Sequence, residues 1–302
     1  MSQPIVSIGL PVYNGEDYIE KCLSSIVAQT YENLEIIVSD NRSTDATFEI
    51  CKRFAREDDR VRLLRNEKNL GAVPNMNKVV EAAGGKYFHW IGHDDYLRPE
   101  FVTQCVRALE ADNSVVTAYS KSDVVDERNS RIHEKRQVDF NLDAPQPSRR
   151  WRRFFERWYP EGGLVDVFFG VTRLEALRKT RLLKDYPSND VILFAELALY
   201  GKFTRVADGL FVRRDHPDRS YRRRNISIYE WLSADHDDQV VHLTRLNHLM
   251  DHFRSVRRRG LGRADRLSCY QTILACFLRH YYYDILSEIK EYALSRGATH
   301  GR

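Results

Sequence analysis

The chain has 302 residues, 42% apolar and 30% charged, which excludes collagen-like, low-complexity and wholly disordered classes and suits one large domain or two smaller ones. Its 47 basic and 43 acidic side chains leave a net charge of only +4, too small for a dedicated nucleic-acid binder. The charge is uneven: residues 1–120 hold 13 basic and 18 acidic side chains, while residues 121–302 hold 34 and 25, so an acidic first part precedes a basic second part.

The predicted elements begin with Ile5–Leu10, a short apolar run stopped by Pro11 and read as a buried strand. Gly15 to Gln29 carries a helical stripe through Tyr18, Ile19, Cys22, Leu23, Ile26 and Val27. Leu34–Ser39 is the next strand, and Asp45 to Ala55 a helix with Ser43 or Thr44 as its expected N-cap. Val61–Arg65 is a strand. Pro74–Ala83 is a helix with proline in its first turn, stopped at Gly84-Gly85. Tyr87–Ile91, Pro99–Ala111 and Val115–Ser120 continue as strand, helix and strand. This alternation calls for a mainly parallel sheet covered on both faces, with ligands at the carboxyl ends of its strands.

The polar clusters fall at those ends: Pro11-Val12-Tyr13-Asn14, Ser39-Asp40-Asn41-Arg42-Ser43-Thr44-Asp45, and Gly92-His93-Asp94-Asp95. Helix caps and a turn account for any one of them, but not readily for three together. No GxGxxG follows a strand, and Ala82-Ala83-Gly84-Gly85-Lys86 lacks the first glycine and the Ser/Thr of a phosphate loop. Without a glycine nest, a diphosphate can be neutralised by Mg²⁺ or Mn²⁺ held on carboxylates, and Asp94 and Asp95 supply them. No apolar run approaches the ~18 residues of a membrane span. The opening MSQPIVSIGLPVYNG does not read as a secretory signal, and Cys22, Cys51, Cys105, Cys269 and Cys276 form no CxxC pair. The expectation is a cytoplasmic protein with reduced thiols.

Across about residues 4–215 the chain resembles a family 2 glycosyltransferase with the GT-A fold. The resemblance is strongest over Ser7–Thr47, followed by Asn66–Gly71 (NEKNLG) and Trp90–Asp95 (WIGHDD). It implies a Rossmann-like, mainly parallel central sheet flanked by helices, and transfer of sugar from a nucleoside-diphosphate donor. Base and ribose binding would fall on Pro11, Tyr13, Asn14 and Asp40, with Ser43 and Asp45 matching the S-x-D that follows. Asn41 stands where the family often has a second Asp. The metal-binding D-x-D aligns with Gly92-His93-Asp94, so its first Asp is missing; Asp94 is the expected Mg²⁺ or Mn²⁺ ligand, with Asp95 adjacent. His93 is either a donor contact or a structural histidine, and Asn75 or Asn77 a cap or a contact to the donor sugar.

The resemblance also implies an inverting mechanism with one carboxylate base, placed at Asp190 with Glu196 as runner-up. Phe168-Phe169-Gly170, together with Gly162-Gly163, reads as a strand and turn beside the acceptor. Phe211-Val212-Arg213-Arg214-Asp215-His216-Pro217 resembles the family's late Y-R-x-H segment. His216 is a candidate metal ligand, and one or two of Arg213, Arg214, Arg219, Arg222, Arg223 and Arg224, Arg214 foremost, are candidate diphosphate contacts. Residues 1–120 form the donor half and 121–225 the acceptor half of a catalytic domain.

Residues 226–302 read as an accessory helical hairpin. One stripe runs through Trp231, Leu232, Val240, Leu243, Leu246, Met250 and Phe253. The other runs through Leu267, Tyr270, Leu274, Phe277, Tyr281, Ile285, Ile289 and Tyr292, with an arginine-rich turn at 254–263 between them. The hairpin must bury its apolar face on the catalytic domain, on a second subunit in a homodimer, or on a membrane surface, which would suit a glycan acceptor that is lipid-linked. Two rivals remain: a non-catalytic sugar-nucleotide-binding relative, and a sugar-1-phosphate nucleotidyltransferase, whose G-x-G-x-R loop is absent after the first strand.

Overall fold

The computed structural model describes residues 5–132, 139–161, 164–217, 227–234 and 243–299. Its first part alternates as the periodicity requires: β1 (Val6–Val12), α1 (Ile19–Val27), β2 (Leu34–Asp40), α2 (Thr47–Glu57), β3 (Val61–Arg65), α3 (Ala72–Ala82) and β4 (Tyr87–Trp90). A short β5 (Tyr96–Leu97), then α4 (Phe101–Ala111) and β6 (Val115–Tyr119), follow. Each strand and helix expected up to residue 120 is present, its ends displaced by about a turn or less. The expected cap of α2 is not used. Its N-cap is Ala46, without a side-chain bond, and Asp45 Oδ1 instead accepts the Thr47 N–H at 3.0 Å.

The second part is less regular. Strands β7 (Asp123–Val125) and β8 (Arg131–Ile132) precede α5 (Pro147–Glu161), α6 (Val165–Phe168), β9 (Val171–Arg173), α7 (Leu174–Arg178) and α8 (Asn189–Tyr200). Then come β10 (Lys202–Arg205), β11 (Phe211–Arg214), α9 (Ile228–Leu232), α10 (Thr244–Arg259), α11 (Arg263–His280) and α12 (Tyr282–Thr299). The strand expected at Phe168-Phe169-Gly170 begins only at Val171, because Phe168 closes a helical turn. Gly162-Gly163 lies outside the described residues.

A seven-stranded sheet runs β10-β6-β9-β4-β1-β2-β3, parallel except for β9, which is antiparallel to both β4 and β6. In register Val12 faces Asp40 and Asp40 faces Arg65, so β1, β2 and β3 end together. A small second sheet, β5-β11-β7-β8, brings the chain after residue 211 back beside the turn that follows β4. Two buried clusters cover the large sheet. One joins Val6, Ile8, Leu10 and Val12 of β1 to Ile26 and Phe101; the other joins Phe88 and Trp90 to Trp151, Phe155 and Phe194.

The C-terminal helices share the second cluster through Val256, Cys269, Ile273 and Phe277. The first expected helix is split between α9 and α10, and Val240 lies outside the described residues. The second is kinked at Tyr281, although hydrogen bonds from Tyr281 N to Phe277 O and from Ile285 N to Tyr281 O carry the ladder across. Arg258 and Arg259 of the arginine-rich turn are engaged on α8: Arg258 Nη1 reaches Glu196 Oε1 at 2.5 Å, and Arg259 Nε reaches Leu199 O at 3.3 Å.

Candidate functional site

The ends of β1, β2 and β4 meet at one edge of the sheet. The β1 and β2 loops are laced together: Asn14 N donates to Ser43 Oγ at 3.0 Å, Thr44 N to Asn14 Oδ1 at 2.9 Å, and Gly15 N to Thr47 Oγ1 at 2.7 Å. Asn14 and Arg42 sit at φ 49° and 65°, a left-handed backbone that costs energy in non-glycine residues and that the lacing maintains. Pro11 and Tyr13 are half-buried beside it. Asp40 lies fully buried at its base. Its Oδ1 accepts from Ser43 N at 3.2 Å, while its Oδ2 faces Arg65 Nε at 3.2 Å and makes no hydrogen bond among the described residues. Arg65, which sequence reasoning passed over, also stacks on Phe48 at 3.9 Å. Its signal was the last position of a strand whose neighbour ends in Asp.

Asn41 and Asn75 are structural in their contacts. Asn41 Nδ2 donates to Asn69 Oδ1 and Gly71 O at 2.8 and 3.0 Å, and its Oδ1 accepts from Asn66 Nδ2 and Leu70 N. Asn75 Oδ1 accepts from Ser39 Oγ at 2.7 Å, and its Nδ2 donates to Ser39 O at 2.9 Å. These amides knit the NEKNLG loop to β2. Asn77 bonds the Leu183 backbone in both directions.

At the end of β4, Asp94 Oδ2 lies 3.0 Å from His216 Nε2, joining positions 122 residues apart. His216 is buried, its ring rests on Tyr18 at 5.0 Å, and its Nδ1 has no hydrogen-bond partner among the described residues. Asp95 is buried behind the pair, with Oδ1 accepting the Arg214 N–H at 2.9 Å. Arg214 is a keystone: its guanidinium donates to the carbonyls of Asp94, Asp126 and Glu127 and to Asn129 Oδ1 at 3.0–3.3 Å, and it stacks over Tyr18. Arg213 is buried as well, and Arg219, Arg222, Arg223 and Arg224 lie outside the described residues. His93 packs on the β1 loop, where a Cβ on Gly15 would sit 2.4 Å from its ring, so only glycine permits that approach.

Among the described residues no three His, Cys, Asp or Glu side chains cluster as a preformed metal site. The Asp94–His216 pair nevertheless fits a divalent ion. Two cis ligands at about 2.1 Å from one ion are themselves about 3 Å apart, and the remaining positions suit phosphate oxygens and water.

Asp190 opens α8, half-buried, and burial raises its carboxyl above the ordinary value. The turn before it is strained at Ser188, φ 57°, and is braced from α10. Arg181 Nη1 donates to Tyr186 Oη at 2.6 Å and Asp251 Oδ2 at 2.8 Å, and its Nη2 to Asn189 O at 3.1 Å. His248 Nε2 lies 2.8 Å from Pro187 O; burial lowers this histidine to about 4, so its neutral ring donates to the carbonyl. Glu196 is fully buried on another face of α8, bonded to Ser255 and Arg258. Asp190 and Glu196 are therefore not brought together. Sequence reasoning also missed α5, whose Trp151, Phe154 and Phe155 at helical spacing were the available signal.

A model of the family "Glycosyl transferase family 2" matches residues 7–179. The putative glycosyltransferase EpsH of Bacillus subtilis is 38% identical over 117 residues, covering 38% of this chain and 33% of that protein. The chondroitin synthase of Pasteurella multocida is 33% identical over 117 residues, covering 39% and 12%. The chain thus spans well under half of either relative's length. Among solved structures, S. aureus TarS 1-349 in complex with UDP-GlcNAc aligns with TM-score 0.60 and 16% identity, over 91% of this chain and 73% of that one. The mannosyltransferase PcManGT of Pyrobaculum calidifontis, in complex with GDP-Man and Mn²⁺, aligns with TM-score 0.55 and 18% identity, over 99% and 81%. The fold is GT-A, and with more than half of its length matched by the family model, the chain belongs to glycosyl transferase family 2.

Proposed function

We propose that the protein is a glycosyltransferase moving a sugar from a nucleoside-diphosphate sugar to an acceptor hydroxyl, with inversion, in polysaccharide, glycolipid or cell-envelope glycan synthesis. The observation that carries this reading is the Asp94–His216 pair at the sheet edge where the β1, β2 and β4 ends converge. Family membership and the relatives' names support it, and weigh against a nucleotidyltransferase. Residues 1–225 are the catalytic unit, donor half first, and 226–302 an extension; the location is cytoplasmic, and among the described residues no helix is long and apolar enough to cross a membrane.

Each group then has a task. Pro11 and Tyr13 wall the base, and Asn14 and Ser43 hold the loop that shapes its pocket. Asp40 keeps an accepting oxygen for the nucleoside, positioned by Arg65. Asn41 and Asn75 fix the floor, Arg214 fixes the metal turn, and His93 lines it. Asp94 and His216 would hold Mg²⁺ or Mn²⁺, with Asp95 supporting the turn. Bound there, the ion would supply Lewis-acid stabilisation of the departing diphosphate. Asp190 takes the acceptor proton, its burial bringing its basicity closer to that of a neutral-pH base. Glu196, held in its ion pair, braces α8.

A donor-hydrolysis assay tests this reading. Asp94→Ala and Asp190→Asn each abolish release of nucleoside diphosphate; equal activity in the wild type and both variants would overturn the assignment. A chain that binds nucleotide but never turns it over would be the non-catalytic relative.

A further inference from the structure

Helix α11 is apolar on two sides, and the exposed apolar row of α11 runs on into α12 beside the half-buried Ile285. The inner side, Ile273 and Phe277 of α11, packs into the protein, and Ile285 packs against the same cluster. The outer side exposes Leu267 (59%), Leu274 (47%), Leu278 (63%), Tyr282 (46%), Leu286 (48%) and Ile289 (45%), with Tyr283 and Leu294 exposed alongside. Positions 267, 274, 278, 282, 286 and 289 recur at helical spacing and continue across the kink at Tyr281, so they form one ridge. Most of the exposed large hydrophobic side chains of the described chain lie on these two helices. A ridge of this length facing water marks an interaction surface.

The charges around it select the occupant. Arg263 precedes Leu267 by one turn, Arg279 follows Leu278, and Lys290 sits between Leu286 and Leu294; all three are exposed. The acids of the same helices are turned elsewhere. Asp265 accepts from Ser148 of α5, and Asp284 and Glu288 face Arg245, where Glu288 takes the free N–H groups at the start of α10. Glu291 accepts from Ser287, on the side of α12 away from Leu286 and Ile289. A two-fold pairing of ridges would set these cations against cations. A helix pair with an apolar ridge, tyrosines and cationic flanks, too short of apolar length to span, suits the interface of an anionic bilayer.

We propose that the outer face of α11 and α12 lies on an anionic lipid surface. The ridge side chains enter the headgroup boundary, and Arg263, Arg279 and Lys290 meet the phosphates. The contact is independent of the nucleotide site and holds the protein at the membrane face.

Vesicle flotation of the full chain tests it, with phosphatidylcholine alone and with phosphatidylcholine and phosphatidylglycerol at three to one. The wild type floats with the anionic vesicles and roughly tenfold or more weakly with the neutral ones. Arg279→Gln with Lys290→Gln weakens binding by roughly twenty-fivefold at low salt, about fivefold per charge. Leu274→Glu with Leu278→Glu abolishes flotation while the melting temperature stays within a degree or two of wild type, since both side chains are already in water. Failure of the wild type to float, or unchanged flotation of the Leu274/Leu278 variant, would overturn the proposal. So would a dimer in light scattering that this variant dissociates, since a second copy would then own the ridge.

Discussion

At the edge where β1, β2 and β4 end, the loops are tied by neighbours in the sheet: Asn14 to Ser43 and Thr44, Gly15 to Thr47, Asn41 to Asn66. At the Asp190 turn the ties come from a helix 59 to 70 residues further along the chain, through Arg181 to Asp251, Pro187 to His248, and Glu196 to Ser255 and Arg258. The edge is thus a product of the sheet, while the turn depends on α10 being docked. Damage to α10 should disable chemistry and spare nucleotide binding, whereas damage to the lacing should do the reverse.

The largest expected effect is at Asp190. Asp190→Asn lowers transfer by about 10²–10⁴-fold and leaves nucleotide affinity unchanged, measured by turnover and titration. Burial raises this carboxyl, so activity falls as pH drops through a value above that of an ordinary aspartate. The linkage has the opposite sign to a salt-bridged aspartate. The ionised form is disfavoured in the folded state, so stability declines as pH rises from the unfolded to the folded pKa. Asp190→Asn at neutral pH therefore melts no lower than wild type; a clear drop would show that the charge is stabilised in place.

Asp251→Ala comes next. It leaves the Arg181 guanidinium, 3% exposed, without its carboxylate, at a cost of about 3 kcal/mol in unfolding free energy. The same variant lowers kcat and leaves nucleotide binding within about twofold. If binding fell in step with kcat, the two regions would not be separable.

Legibility in the sequence divides along the same line. In the first 120 residues, periodicity with proline and glycine stops located every strand and helix except the two-residue β5, because each of the others buries a face against immediate neighbours. Asp94 and His216 were each singled out, but their 3.0 Å meeting depends on β11 joining the small sheet, which no local pattern announces. Strand β9 is three residues long and takes its identity from β4 and β6 on either side. Glu196 stood as runner-up to Asp190, but its ion pair could not be foreseen, because its partner Arg258 sits in what reads locally as a solvated basic turn. Arg214 suited a diphosphate by type; that four of its five N–H donors meet the Asp94, Asp126 and Glu127 carbonyls and Asn129 could not be read from the sequence.

Two smaller effects sharpen the contrast. Gly71 has φ 86°, and a Cβ there would lie 2.6 Å from Ser233 Cα. Gly71→Ala should cost about 2 kcal/mol by denaturant unfolding and weaken nucleotide binding, because Asn41 bonds the Gly71 carbonyl. Ser188→Gly should raise stability by roughly 0.5 kcal/mol, since glycine adopts the left-handed backbone without the Cβ penalty. Destabilisation there would indicate that the serine side chain itself holds the turn.

The central claim is that the Asp94–His216 pair and the laced β1–β2 edge form one metal-assisted nucleotide site. Thermal stabilisation by UDP, GDP, dTDP and CMP, each with and without Mn²⁺, tests it most directly. At ~100 times its dissociation constant, one of these nucleotides should add about 2.7 kcal/mol. The gain should require Mn²⁺ and vanish in Asp94→Ala. No response to any nucleotide, or a response that Asp94→Ala leaves intact, would contradict the account.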